Sequence, residues 1–283
     1  MMPPPLGDAP IERFYYRLLL SPEPTRGPLD WYKQLQKSIQ KENQTLPPEE
    51  QVYLPRDQRP ERFLTYRRLL HANLHSAIRA VLPRTLKILD QHFEPLFLDW
   101  LVEAGPDSRL LREVAYVFCD YLTKRCSETS TWPNERLDSQ LIRDLACYEA
   151  ARVRVAAAPN PREKITELDL AKPVELHPGA EALAFSNEVH KIEIDCREIP
   201  SPKTTLLLLW RDQEYCVETA LLKPSEFRLF KALKAKETLS KALAVVGSSS
   251  DPRLDDDYLK EQTLFLSSLA QRGVLRGAIE PKK

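Results

Sequence analysis

His71 and His75 stand four residues apart in RRLLHANLHSAIRAV, the spacing that lets two imidazoles on one helix reach a single metal ion. Arg67 and Arg79 continue the same i, i+4 row, and cations beside a ligand pair oppose metal binding. The row Arg67, His71, His75, Arg79 therefore reads as a basic stripe facing solvent or a partner. His92, His177 and His190 are isolated in sequence, with no base or nucleophile beside them, and read as structural or exposed. Carboxylates are abundant, but no spacing singles out a catalytic pair. Asp255, Asp256 and Asp257 suit the positive end of a helix dipole without any metal. The five cysteines, Cys119, Cys126, Cys147, Cys196 and Cys216, are odd in number and never form CxxC, so they read as reduced, inert thiols. Seven glycines form none of the patterns GxGxxG, GxxxxGK[ST] or GxSxG. No enzyme emerges, and no cofactor is expected in this chain.

The elements that carry these residues fall into two groups. The 283 residues suffice for two domains, and the apolar fraction of 42% is that of a globular chain. Lys+Arg and Asp+Glu are both 41, so the whole chain is not drawn to nucleic acid, although Lys223–Lys241 holds six Lys/Arg against two Glu. Residues 1–28 form a Pro-rich extension with one apolar stretch, Phe14 to Leu20. A bundle of helices is expected over 29–158. Its clearest member runs from about Arg62 to Leu82, with Tyr66, Leu69, Leu70, Leu74, Ala77, Ile78 and Val81 as core face. Others cover roughly 85–103 with an interruption at Pro95, then 110–125 and 139–158. PNPRE opens a linker, 159–171, and β signals follow from 172 to 283. There Val189–Cys196 is expected as a half-polar strand, and Thr204–Trp210 with Tyr215–Leu222 as a hairpin. Helices over 225–235, 238–245 and 255–271 come next, with Ser225 near the first N-cap and Gly273 as C′ residue of the last. A short terminal strand, 274–279, closes the chain. The expected fold class is α+β: an N-terminal helical bundle, then a smaller winged-helix-like domain. MMPPPLGDAPIERF lacks the features of a signal peptide, and the longest apolar run, Leu206 to Trp210, is too short to span a bilayer. The expected location is the cytoplasm, without a membrane partner.

The segment RFLTYRRLLHANLHSAIRAVLP, Arg62–Pro83, resembles the signature of the HvfC/BufC-type family, long labelled DNA-binding and including the methanobactin partner protein. Tyr66, Arg67 and Pro83 match it, whereas Arg68 and Leu69 stand where the family has two Asn and Leu82 replaces a Phe, so contacts made by those Asn are not carried over. Phe93 in DQHFEPLFLDWL, Asp107–Leu110, the Phe118–Leu122 pattern F-x-x-[FY]-L and the helix RDLACYEAA are further likenesses. LLLLWRDQEYCVETALLKPSEFRLFKALKAKETLSKAL is similar to the family's second domain, with a strand ending in W-R, a hairpin and paired helices. The resemblance spans about Trp31–Gly277. It implies a non-catalytic accessory protein of a TIM-barrel, multinuclear non-haem iron oxidative enzyme. Such a protein binds the enzyme and the leader of a ribosomally made precursor peptide, and the iron belongs to the enzyme. A leader would add as a β-strand to an exposed edge. The expected edge is Val189–Cys196, with Val189, Lys191, Glu193 and Asp195 as peptide-binding residues, and Arg67, His71, His75 and Arg79 form the expected partner face. The alternative is a DNA-binding transcriptional regulator using the C-terminal module, the one reading that takes nucleic acid as partner.

Overall fold

The computed structural model describes residues 27–48, 51–52, 59–106, 110–128, 138–160, 167–194, 202–248 and 256–279. The expected apolar stretch Phe14 to Leu20 lies outside them. The chain is α+β and divides into two compact units, 1–146 and 147–283, the division falling inside a helix.

In the first unit, α1 (Pro28–Asn43) buries Trp31, Tyr32, Leu35 and Ile39, a four-residue recurrence that puts them on one face. Tyr32 stacks on Phe63 with ring centroids 5.2 Å apart. Phe63 belongs to α2 (Pro60–Val81), whose first residue is a proline that gives up no needed hydrogen bond. The buried face of α2 is rotated from the expected one. It comprises Phe63, Leu64, Arg67, Leu74, Ile78 and Val81, while Tyr66 and Leu69 are exposed. Arg67, with its long aliphatic stem, takes a core position that polarity alone assigns to the surface. After α3 (Pro83–Leu89), the break falls at Asp90, whose φ of 45° ends the helix, and a 3-10 turn over Asp90–His92 leads into α4 (Phe93–Glu103). Pro95 sits in the first turn of α4, where its missing N–H has no partner to lose, so it does not interrupt the helix as expected. Phe97 and Trp100 of α4 are fully buried and meet Phe118 of α5 (Leu111–Glu128) through Trp100, ring to ring at 5.5 Å. The sixth helix, α6, runs Ser139–Ala157.

The second unit takes α6 from Cys147 onward and adds two antiparallel sheets. The larger one has the order β2-β3-β4, formed by Ala180–Phe185, Thr205–Arg211 and Val217–Leu221. The smaller one pairs β1 (Val174–Leu176) with β5 (Leu275–Ala278). Between β4 and β5 lie α7 (Pro224–Lys234), α8 (Leu239–Ser248) and α9 (Asp256–Gln271). The N-cap of α7 is Lys223 rather than Ser225, because Pro224 occupies the first helical position and the Glu226 carboxylate accepts a 2.8 Å bond from the Lys223 N–H. Gly273, at φ 69°, is the C′ residue of α9, and the Val274 N–H donates to Leu269 O and the Gly273 N–H to Ala270 O, the pair of bonds that closes this kind of helix end.

Alternation fixes what each sheet face touches. Ala180, Ala182, Leu208 and Trp210 join Leu229, Phe230, Leu233, Phe265 and Leu269 in one apolar core beneath α7 and α9. The opposite face meets α6: Tyr148 packs edge-on against Phe185 at 6.0 Å, and Arg154 pairs with Glu181 at 3.2 Å. Two contacts fasten the end of α6 to the sheet. Arg211 donates from Nη1 to the Ala156 carbonyl at 2.8 Å and from Nη2 to Asn160 Oδ1 at 2.6 Å, placing a cation at the negative end of the helix. Gly179, just ahead of β2, comes so close to that end that a Cβ would lie 2.8 Å from Val155 O and 2.9 Å from Ala158 Cβ.

The described part of the expected strand Val189–Cys196, residues 189–194, is not a strand. Val189–Lys191 is a 3-10 helix, with the Lys191 N–H bonded to Glu188 O and the Ile192 N–H to Val189 O, while Asp195 and Cys196 lie outside the described residues. The buried residues here are Val189 and Ile192, three apart, which is the period of a 3-10 turn and not the two of a strand. Strand β2, in contrast, arises from AEALAF, a sequence of poor strand formers.

Because the atoms facing Gly179 are a backbone carbonyl and a short side chain, a Gly179→Ala exchange is expected to cost about 2 kcal/mol or more of stability. Urea unfolding of the full chain measures this, and an unchanged midpoint would contradict the close approach.

Candidate functional site

The basic row on α2 does not lie on one solvated stripe. Each four-residue step turns about 40° around the helix, so Arg67 to Arg79 spans about 120°. Arg67 is buried at 2% exposure, His71 lies edge-on to Phe97 at 5.7 Å, and Arg79 faces solvent. His75 packs on Phe93 and Phe97 with centroids 4.6 and 4.5 Å away, and its Nε2 sits 2.9 Å from Glu94 Oε2, an ion pair whenever the ring is protonated. The expected face is thus dispersed, and its two histidines are part of the aromatic packing. Of the residues expected to bind peptide, Val189 is fully buried, Lys191 pairs with Glu188 at 3.0 Å, and Glu193 is exposed. Lys191 and Lys203 together hold the Glu188 carboxyl below its usual range. Among the described residues no three His, Cys, Asp or Glu side chains are grouped to hold a metal, and no helix is long and apolar enough to cross a membrane.

The structure presents another edge. The Leu222 N–H donates to Leu206 O and the Asp212 N–H to Cys216 O, and the register runs from Leu207–Leu221 to Arg211–Val217. The even-numbered residues of β4 therefore carry the ladder with β3. Val217, Thr219 and Leu221 turn their N–H and C=O groups outward, where no described strand pairs with them. The edge of β2 differs. The Ala180 N–H is taken by His177 O at 3.1 Å, its carbonyl accepts from Lys234 Nζ at 2.9 Å, and both Ala180 and Ala182 are buried.

Helix α9 lies along β4. Lys223, just past the strand, pairs with Glu261. At the other end Arg272 sits 4.8 Å over the ring of Trp210, the cross-strand partner of Glu218. Glu218 and Ala220 thus face the α9 side of the edge. On the α6 side, Arg152 Nη1 lies 3.5 Å from Thr219 Oγ1 and 3.4 Å from Tyr148 Oη. Three cations of the basic segment are engaged within the unit: Lys223 with Glu261, Lys234 with Ala180 O, and Lys231 over the Phe227 ring at 5.8 Å. An exposed strand edge flanked by a helix is a site for an extended chain, bound through its own backbone.

A three-stranded sheet followed by three helices, with the outer strand open, defines a winged-helix-like module. Residues 178–269, from just before β2 to near the end of α9, match the family model described as the HvfC C-terminal domain. The match supports a relationship to the HvfC type at the level of this domain. No curated protein matches the chain.

Two titratable groups lie apart from the edge. Tyr121 borders a cleft of about 320 Å³ with Glu103, Val117, Asp120, Arg125 and Glu128. Burial and the Glu103 charge push its phenol up to about 12, so it stays protonated at neutral pH and cannot act as a base there. His177 is buried beside Gly179, whose N–H donates to its Nδ1 at 2.9 Å, and this leaves the ring proton on Nε2. Burial first, then the charges of Arg211, Arg276 and Lys234, hold it below the ordinary imidazole value of 6.5. The unfolded chain therefore binds this proton at a higher pH than the folded protein does. Stability is independent of His177 above that value and declines as pH falls from it toward the lower folded pKa. His177→Asn offers Oδ1 to the Gly179 N–H without titrating, and is expected to flatten this slope. Urea unfolding at several pH values between about 5 and 7 measures it; an unaltered slope would remove His177 as its source. His190, also held low chiefly by burial, leaves a residual slope in the variant.

Proposed function

We propose that this chain is a non-catalytic accessory protein of a multinuclear non-haem iron oxidative enzyme. In this role it binds the enzyme and the leader of a ribosomally made precursor peptide while the peptide is modified. The observation that carries the reading is the open outer edge of β4 inside the region matched to the HvfC C-terminal domain. Three outward pairs of backbone groups, at Val217, Thr219 and Leu221, suit the addition of one extended strand, and α9 and α6 supply side chains on either side of it. The likeness of Arg62–Pro83 and Arg143–Ala151 to the accessory family adds support from outside the matched domain. The iron belongs to the enzyme in this reading, and the leader edge is β4 in place of 189–196. Arg79, Tyr66 and Leu69 are among the exposed residues of α2 left for the enzyme to meet.

The test is a tagged pull-down from the native host, with mass spectrometry of what accompanies the chain. A TIM-barrel iron enzyme with a short precursor peptide is the expected result, and nucleic acid alone, released by salt, would favour a DNA-binding regulator instead. A Thr219→Pro variant sharpens the test. The Thr219 N–H makes no bond to β3, so proline leaves the ladder intact while removing an outward donor. The peptide is expected to be lost from the complex, and its undiminished recovery would exclude β4 as the leader edge.

A further inference from the structure

Among the described residues, Arg152 is a cation beside this edge with no carboxylate partner. Arg152 lies on the face of α6 that packs against the sheet, half-buried, with its guanidinium 5.8 Å from the centre of the Tyr148 ring. Its polar contacts are the Tyr148 and Thr219 hydroxyls, at 3.4 and 3.5 Å, both long and both neutral. Its helix neighbour Arg154 is paired with Glu181, and Arg211 is used on Ala156 O and Asn160. Arg152 thus keeps charge and donors directed to the side-chain position next to Thr219.

Thr219 is also the middle outward-facing residue of β4. In a strand added to that edge, the residue paired with Thr219 places its side chain on the same face of the sheet, toward α6. Its two neighbours in the added strand point to the other face, toward Ala220 and α9. Ala220 is small and partly buried against the core, while Leu264 of α9 is exposed. We infer that Arg152 is a specificity-determining residue of the peptide edge: it reads an acidic side chain, Asp or Glu, at the added-strand position paired with Thr219, next to an apolar residue on the α9 side. The occupant is an extended acidic peptide, and the inference rests on the strand-addition reading of β4. Guanidinium is suited to this role because it forms two parallel bonds to a carboxylate, and the Tyr148 ring beneath keeps its plane oriented.

The experiment uses the full chain and a random library of twelve-residue peptides displayed on phage. Wild type, Arg152→Gln and Thr219→Pro are panned in parallel, and the selected peptides are synthesised with Glu or Gln at the enriched position for titration. Wild type is expected to enrich one acidic position beside an apolar one, with the Glu peptide bound about tenfold or more tightly than its Gln counterpart, the range of one charge-assisted hydrogen bond. Arg152→Gln is expected to abolish that difference and keep binding of the Gln peptide, which a general loss of folding would not do. Binders without acidic preference, or a preference that survives Arg152→Gln, overturn the role of Arg152 and leave strand addition standing. Selected peptides whose binding is indifferent to Thr219→Pro, or an absence of binders, overturn the edge itself and the inference with it.

Discussion

The second unit depends on how tightly the end of α6 can approach the start of β2. Gly179 leaves room there only for a hydrogen, since Val155 O and Ala158 Cβ occupy the space of a side chain. That proximity brings the last carbonyls of α6 within reach of Arg211, the last residue of β3, which would otherwise be a buried charge with nothing to neutralise it. Asn160 joins the same guanidinium and also donates to the Tyr215 hydroxyl, so the β3–β4 turn is fixed to the same point. Helix, sheet and turn are therefore set by one glycine and one arginine.

The same junction determines which edge of the sheet is available. His177 supplies its carbonyl to Ala180 and its ring nitrogen to Gly179, while Lys234 reaches across to Ala180 O. These bonds cover the first residue of the β2 edge. Burial lowers the pKa of the Lys234 amine, which still finds one strong acceptor in that carbonyl. No described strand pairs with the outer side of β4, and its exposed Leu221 and outward backbone groups are the features that sheet edges ordinarily block.

Adjacent residues in the W-R pair illustrate how little the sheet leaves unused. Trp210 enters the core beneath α7 and α9 and carries Arg272 over its ring, while Arg211 points to the opposite face and binds α6. Strand alternation alone sends the two side chains in opposite directions. The likeness of this stretch to the HvfC C-terminal domain thus has a physical content: one residue secures each layer to the central strand.

Helix period and turn chemistry made most elements legible from sequence: the helices of the bundle, the β3–β4 hairpin, the terminal strand and the Gly273 helix end all lie close to where residue types place them. Local physics suffices there, because apolar spacing and backbone limits act within a few residues. The candidate site was less legible. Polarity could not reveal that Arg67 is buried, that Val189 and Ile192 bury at a spacing of three, or that the alanines of β2 form a strand, since partners distant in sequence decide each of these. Composition and spacing by themselves determined an α+β chain with a helical first part, a winged-helix-like second part and no recognisable catalytic motif. Only the tertiary structure decided that β4 lies at an edge of the sheet and that Arg152 stands beside it, because which strands lie outermost depends on the whole sheet.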